Sequence, residues 1–355
     1  MSNRFILKLF FCLISFLSIH LVHAGKKENT LKLINTITEL PILKWGDESE
    51  FIHGFYIPIR EYSEVGNISV VELRTPQREI MYRCEVTSNE DAMPVEILVY
   101  TSVKTSNYTG VDNGTYEVKP CMRIKISYEV TGKMKTISYK NIVWGEDATA
   151  EEIALDYLPN GMIWRVYHTK SSDYGPVFEA YYANGHADSI TIGVLGIAGK
   201  VVPFAIRRSV YDAKWNVIRH TLRYVDDTYF ETDLILYAAD GKVQEWYKRK
   251  YATEGSTKEV SGYVFTYENS KVIKANYYFD YVSDQTGKLE DVKNLGRLKK
   301  EFYYTYSANG NLLSYKDALI TDCVIADRTT TYTLDAKGMV LKQTTVDKTK
   351  YKCKY

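Results

Sequence analysis

Proline is scarce in this sequence, eight residues in 355. That excludes polyproline segments and the Pro-rich linkers that string separate domains together. Past residue 24 no apolar run is long enough to cross a bilayer as a helix. The best candidate, "GVLGIAGKVVPFAI" (residues 193–206), is interrupted by Lys200 and Pro203. Net charge is nearly absent, +1, which leaves no electrostatic footprint for nucleic acid and no basic block for an anionic membrane. The cysteines lack Cys-x-x-Cys spacing and the histidines lack His-x-x-x-His spacing, so no metal motif is present. There is no Gly-x-Ser-x-Gly elbow. "GVLGIAGKV" fails as a phosphate loop, because five residues instead of four separate Gly193 from Gly199-Lys200 and Val201 stands where a magnesium-binding hydroxyl belongs. The expectation is no metal, no cofactor and no catalytic residue.

The first 24 residues carry Arg4 and Lys8 around an apolar stretch, with Val22 and Ala24 as small residues at its end. This is the layout of a secretory signal peptide, cleaved between Ala24 and Gly25. Lys8 keeps the apolar run below the roughly 18 to 20 residues of a spanning helix, which favours cleavage over an anchor. Cys84, Cys121, Cys323 and Cys353 would then remain. An even number in an exported chain permits two disulfides, and local pairing predicts Cys84–Cys121 and Cys323–Cys353.

What the sequence has in excess is tyrosine, 31 residues, a side chain suited to a pleated, half-buried surface. The tyrosines recur in a pattern, Tyr-x-x-(Asp/Asn)-Gly-x-apolar. It occurs at Tyr157 with Gly161, Tyr181 with Gly185, Tyr237 with Gly241 and Tyr306 with Gly310. Roughly 0.2 such matches are expected by chance, so the pattern is a repeat. Degenerate copies begin at Tyr128, Tyr211, Tyr267, Tyr281 and Tyr332. Asn-Gly and Asp-Gly predict type I′ hairpin turns, and the two-residue alternation after them, as in "KVQEWYKRKY", predicts strands. Stacked units would bury a continuous face, with the tyrosines at equivalent places across the sheet.

The unit resembles the YD-repeat of the RHS family, Tyr-Asp-x-x-Gly-Asn/Arg-Leu. "YSANGNL" keeps the tyrosine, glycine, Asn and Leu; "YDAKWNV" keeps Tyr211, Asp212 and Asn216 but has Trp215 for glycine; "LDAKGMV" keeps Asp335 and Gly338 but has Leu334 for tyrosine. The resemblance spans residues 150–355 and implies a β-hairpin repeat sheet. The family's long members build closed shells around a toxin and carry a C-terminal core sequence that this chain lacks, so the resemblance does not extend to a shell function.

Before residue 150 the runs "NISVVELR", "REIMYRCEV", "VEILVYTSV" and "CMRIKISYEV" read as short strands of a small β-sandwich-like domain. "LKLINTITEL" fits either a helix or a strand, and the acidic "GEDATAEEIA" marks a boundary. The expected organisation is all-β: residues 1–24 a signal peptide, 25–148 an N-terminal β domain, 149–355 an antiparallel β-hairpin repeat meander. His186 and Asp188 read as a solvated turn. Asp226, Asp227, Glu231 and Asp233 read as a charged turn between strands; the competing uses are calcium binding or acid/base catalysis. The expected protein is secreted or periplasmic and non-enzymatic, with a structural, adhesion or ligand-binding role at the cell envelope. Its partner would be a carbohydrate or an envelope protein, with no nucleic acid and no transmembrane segment after processing. The alternative is a secreted hydrolase acting on surface glycans.

Overall fold

The computed structural model describes residues 25–43, 58–105, 114–142, 149–170, 177–196, 200–226, 229–252, 258–282, 297–320 and 324–351. The expected signal peptide, including Ala24, and the cysteines Cys323 and Cys353 lie outside them. Residues 25–39 form a helix, α1. Its apolar side chains Leu33, Ile34 and Ile37, with Leu40 just beyond, follow the three-to-four residue spacing of one helix face and are buried.

Everything else regular is strand. The first six are β1 (Ile59–Val65), β2 (Ile68–Arg74), β3 (Ile80–Ser88), β4 (Pro94–Lys104), β5 (Gly114–Tyr128) and β6 (Met134–Asn141). Then follow β7 (Glu151–Tyr157), β8 (Ile163–Lys170), β9 (Val177–Ala183), β10 (His186–Leu195), β11 (Val201–Tyr211), β12 (Val217–Tyr224) and β13 (Tyr229–Tyr237). The last eight are β14 (Val243–Ala252), β15 (Lys258–Glu268), β16 (Lys271–Val282), β17 (Arg297–Tyr306), β18 (Leu312–Ile320), β19 (Val324–Leu334), β20 (Val340–Asp347) and β21 (Lys350–Tyr351). From β1 to β20 each strand pairs antiparallel with the next, a meander as expected.

The meander closes. Met122–Tyr128 of β5 pair with β6, while Gly114 and Thr115 pair with Gln343 and Lys342 of β20. Since β4 occupies the other edge of β5, strands β5 to β20 form a 16-stranded antiparallel barrel with extra strands. β1 to β6 belong to this same sheet and form no separate sandwich. The expected boundary at residue 148 falls between β6 and β7, which pair directly.

The repeat works differently from a plain Asn-Gly hairpin. At Leu158–Met162, Ala238–Lys242, Ser307–Asn311 and Asp335–Met339 two backbone bonds close a four-residue turn. Positive φ is confined to Gly161, Gly241, Gly310 and Gly338. These are type I turns ending in a left-handed glycine followed by a bulge, not type I′ turns. The bulge sits beside the repeat tyrosine, which pairs with the apolar residue of the motif: Tyr157 with Ile163, Tyr237 with Val243, Tyr306 with Leu312. The unit at Tyr181 is the exception. Asn184 and Gly185 both have positive φ, a true type I′ turn, and Ala183 pairs with His186 across it. The shorter loop moves Tyr181 to the outer face, where it is 39% exposed and its hydroxyl donates to Glu179.

Six repeat tyrosines, Tyr128, Tyr157, Tyr211, Tyr237, Tyr267 and Tyr306, point inward and cap neighbouring strands. At each seam the ladder between successive units stops short of the turn, for example at Arg219↔Leu234. The carbonyl left beyond it accepts the next unit's tyrosine hydroxyl. Tyr128 donates to Pro94 O at 2.7 Å, Tyr157 to Met134 O at 2.8 Å and Tyr211 to Ala187 O at 2.8 Å. Tyr237 donates to Val217 O at 3.0 Å, Tyr267 to Val243 O at 2.7 Å and Tyr306 to Val272 O at 2.6 Å. Burial raises the pKa of each of these phenols, keeping them as donors. Tyr267→Phe should therefore lower stability by about 1 kcal/mol, against no measurable change for the exposed Tyr303→Phe. Equal urea midpoints for the two variants would show that the hydroxyls do not hold the seams.

The inner face is aromatic. Trp246, Tyr263, Phe265, Phe302, Tyr304 and Tyr332 are buried together. α1 packs against β2 to β10 in a second cluster, and β3 is buried on both faces. The β2–β3 turn reaches the late repeats: Arg78 Nε donates to Gly310 O, and Arg74 Nη1 to Asn311 Oδ1, both at 2.9 Å. The N-terminal part thus lines the lumen. The outer face carries mid-strand ion pairs, Lys274–Glu301 at 2.6 Å and Lys316–Asp327 at 3.1 Å.

Cys84 and Cys121 are free, buried thiols. Val99 of β4 lies between Cys84 and Met122 in register, so the two cysteine backbones stand about two strand spacings, roughly 10 Å, apart. A disulfide reaches at most about 7 Å between Cα atoms. The local pairing overlooked the intervening strand.

Candidate functional site

The register of successive strands lines up polar residues on the inner face. Ser209 of β11 is directly opposite His220, His220 opposite Asp233, Asp233 opposite Lys248, and Lys248 opposite Ser261. Ser209 Oγ and His220 Nδ1 are 3.2 Å apart. Asp233 Oδ1 accepts Trp246 Nε1–H at 2.9 Å, and Lys248 Nζ lies 2.9 Å from Glu231 and 3.9 Å from Asp233. Glu231 and Asp233 are therefore buried strand residues, not members of a charged turn. Two apart on one strand, they share a face. Asp226 is in the exposed turn as expected, and Asp227 lies outside the described residues.

Beside this row is a cavity of about 640 Å³ between the N-terminal segment and the wall from β10 to β15. Ser209, His220 and Asp233 line it together with Arg60, Arg207 and Glu39, Arg207 lying two residues further from the β11–β12 turn than Ser209, and the turns carrying Trp215 and Lys242 complete the lining. Glu39, at the end of α1, bonds His186 Nδ1 at 2.7 Å and Ala187 N at 3.0 Å, so His186 is a latch and not a solvated turn residue. His186 also stacks on Trp215, centroids 5.0 Å apart and 18° between planes. Trp215 occupies the left-handed position (φ 64°) that glycine holds in the regular units. The degenerate motif "YDAKWNV" held this signal; the inward arginines had none, because no motif surrounds them. In the 193–206 stretch, Val202 and Phe204 on β11 are exposed. Gly193 sits at a bulge opposite Pro203.

Burial pushes Asp233 up to about 7, Lys248 opposing it in part. Burial, with Arg207 and Lys248, holds His220 down to about 3. The folded state keeps the Asp233 proton across a window from the ordinary 3.8 up to about 7. This group's stabilisation is full below that window and is lost as pH rises through 7. His220 acts oppositely, stability rising with pH between about 3 and 6.5. Comparing Asp233→Asn with wild type isolates the first effect. The variant's relative stability should grow by on the order of 2–4 kcal/mol between pH 4.5 and 8 in urea unfolding. A constant difference would place Asp233 in an ordinary solvated environment.

Among the described residues no group of His, Cys, Asp and Glu is arranged to hold a metal ion, and no helix is long and apolar enough to cross a membrane. The fold defines an antiparallel β-barrel with extra strands and a lumenal cavity. No protein-family model matches the chain, and no curated protein matches it significantly. Among solved structures it is similar to the TcdB2-TccC3-Cdc42 complex, at 12% identity and TM-score 0.29, over 83% of this chain and 21% of that one. It is similar to a porin-like protein from Bacteroides uniformis ATCC 8492, at 10% identity and TM-score 0.31, over 73% and 96% of the two chains. A third is the Photorhabdus luminescens Tc holotoxin pore, at 10% identity and TM-score 0.27, over 79% and 19%. The chain thus spans about a fifth of the first and third of these proteins.

Proposed function

We propose that the chain is an exported, non-enzymatic β-shell that holds a small molecule in its lumen and works at the cell envelope. The observation that carries this reading is the cavity itself: about 640 Å³ stays open inside a barrel whose inner face is elsewhere filled with aromatic rings. That volume is of the size that encloses a drug-sized ligand. The N-terminal segment supports export. The mid-strand ion pairs of the outer face, Lys274–Glu301 and Lys316–Asp327, support contact with water, because a strand face turned to lipid carries an apolar band there. An adhesive tyrosine face loses support, since six of the repeat tyrosines donate their hydroxyls to backbone carbonyls inside the barrel and Tyr181 alone of the four strict units faces outward.

The row Ser209–His220–Asp233 favours a second reading, a hydrolase. Binding is preferred because a histidine held near 3 is a weak base toward a serine hydroxyl at neutral pH. To test the proposal, the protein is incubated with the small-molecule fraction of its host's extract and examined by native mass spectrometry. A one-to-one adduct is expected, lost in Ser209→Phe, which puts a ring where a small side chain lines the cavity. No adduct, or one that Ser209→Phe retains, would refute a lumenal ligand.

A further inference from the structure

We propose that the ligand of the lumenal cavity is an anion carried on a planar ring, a carboxylate or phosphate on an aromatic body. This rests on the binding function above and adds the ligand's chemistry. Arg78 is paired with Glu61 at 2.7 Å and Lys242 with Asp240, so these charges are answered within the protein. Arg60 and Arg207 are not. Arg60 Nη2 donates to Thr38 Oγ1 at 2.7 Å, and Arg207 Nη2 donates to the Glu39 carbonyl. Neither forms an ion pair among the described residues, and the Nε of each has no partner.

The end of α1 supplies about half a negative charge, and Glu39 one more, already engaged by His186 and Ala187 N. Against these stand two half-buried guanidiniums that cannot give up their protons, with Lys214 at the rim. A positive excess of about half a charge remains inside the pocket, or about one and a half with Lys214 counted. An anion satisfies it with charge-assisted hydrogen bonds.

The ring is assigned by Trp215. An aromatic residue in the left-handed region is strained, and such strain persists where surrounding contacts over-determine it. Here the strain holds an indole at the mouth of the cavity, stacked on His186 with 46% of its surface still exposed. Tyr211 and Tyr237 add rings to the wall just inside. A planar ligand body entering with its charge foremost meets aromatic faces first and the two arginines below them.

The test titrates the whole protein calorimetrically with 2-naphthoate, its neutral isostere 2-naphthamide, and inorganic phosphate. Naphthoate should bind at least tenfold more tightly than either of the others. Arg60→Gln should weaken naphthoate tenfold or more and leave naphthamide unchanged, with Arg60→Lys closer to wild type. Trp215→Leu should weaken both naphthyl probes. Should Arg60→Gln fail to fold, Arg60→Lys and Lys214→Gln carry the same comparison through the salt dependence of naphthoate binding. Naphthamide as tight as naphthoate, or phosphate alone as tight, overturns the ligand class. An extract adduct without naphthoate binding also refutes the class and leaves the binding function standing. Loss of both the adduct and all probe binding refutes the binding function itself.

Discussion

Replacing Lys248 by Met is expected to destabilise the fold by about 3–5 kcal/mol, the cost of removing one partner from a buried charge cluster. Lys248 is 4% exposed, Glu231 5% and Asp233 1%. Lys248 lies 2.9 Å from Glu231, while Lys250 is further off at 3.6 Å and nearer to solvent. Without Lys248 the buried Glu231 carboxylate loses the nearer of these two cations. Its charge must then be borne in a low-dielectric setting or neutralised by a proton. The double variant Glu231→Gln/Lys248→Met should recover most of the loss, because exchanging a whole buried pair for neutral groups is often nearly neutral. Urea unfolding at pH 8 measures both. A loss under about 1 kcal/mol in the single variant would mean that water reaches the cluster, and the inner polar row would need redrawing.

Gly338→Val should cost about 3–4 kcal/mol, more than the same change at Gly241. Both glycines have left-handed φ, +85° and +83°, so each substitution carries the strain of about 1–3 kcal/mol for such a residue. The surroundings separate them. A Cβ at Gly338 would stand 2.5 Å from Asn311 Nδ2 and 3.2 Å from Ile80 Cδ1, whereas nothing lies within 4 Å at Gly241. Asn311 cannot give way freely, because its Oδ1 accepts Arg74 Nη1 and so ties the β17–β18 turn to the lumenal N-terminal strands. Gly310→Val, with Arg78 Nε at 3.4 Å, should fall between the two. Equal melting temperatures for the Gly241 and Gly338 variants would argue against the packing of the N-terminal strands beneath these turns.

The Tyr-x-x-(Asp/Asn)-Gly-x-apolar unit was readable because its cause is local. The glycine supplies one left-handed φ, and the tyrosine meets the apolar residue across the bulge six positions later. The turn type was misread, since Asn-Gly serves both a two-residue type I′ loop and a type I turn with a bulge. Loop length chooses between them. Leu334, standing where a tyrosine is expected, has a positional meaning: it closes the last complete hairpin unit, and Leu312 O is left without the hydroxyl that caps the earlier seams.

The sequence by itself determined an all-β chain, its sequential antiparallel hairpins and the places of most of their turns. Those features depend on residues within about ten positions of one another. Only the tertiary structure decided that the meander closes, that α1 and the first strands lie inside it, and that Arg60, Arg207, Trp215 and His220 meet around one cavity. Closure rests on the short pairing of β5 with β20, residues 114–115 against 342–343. Contacts between segments more than 200 residues apart leave no periodicity in the chain. They follow from the accumulated twist and length of the strands between them.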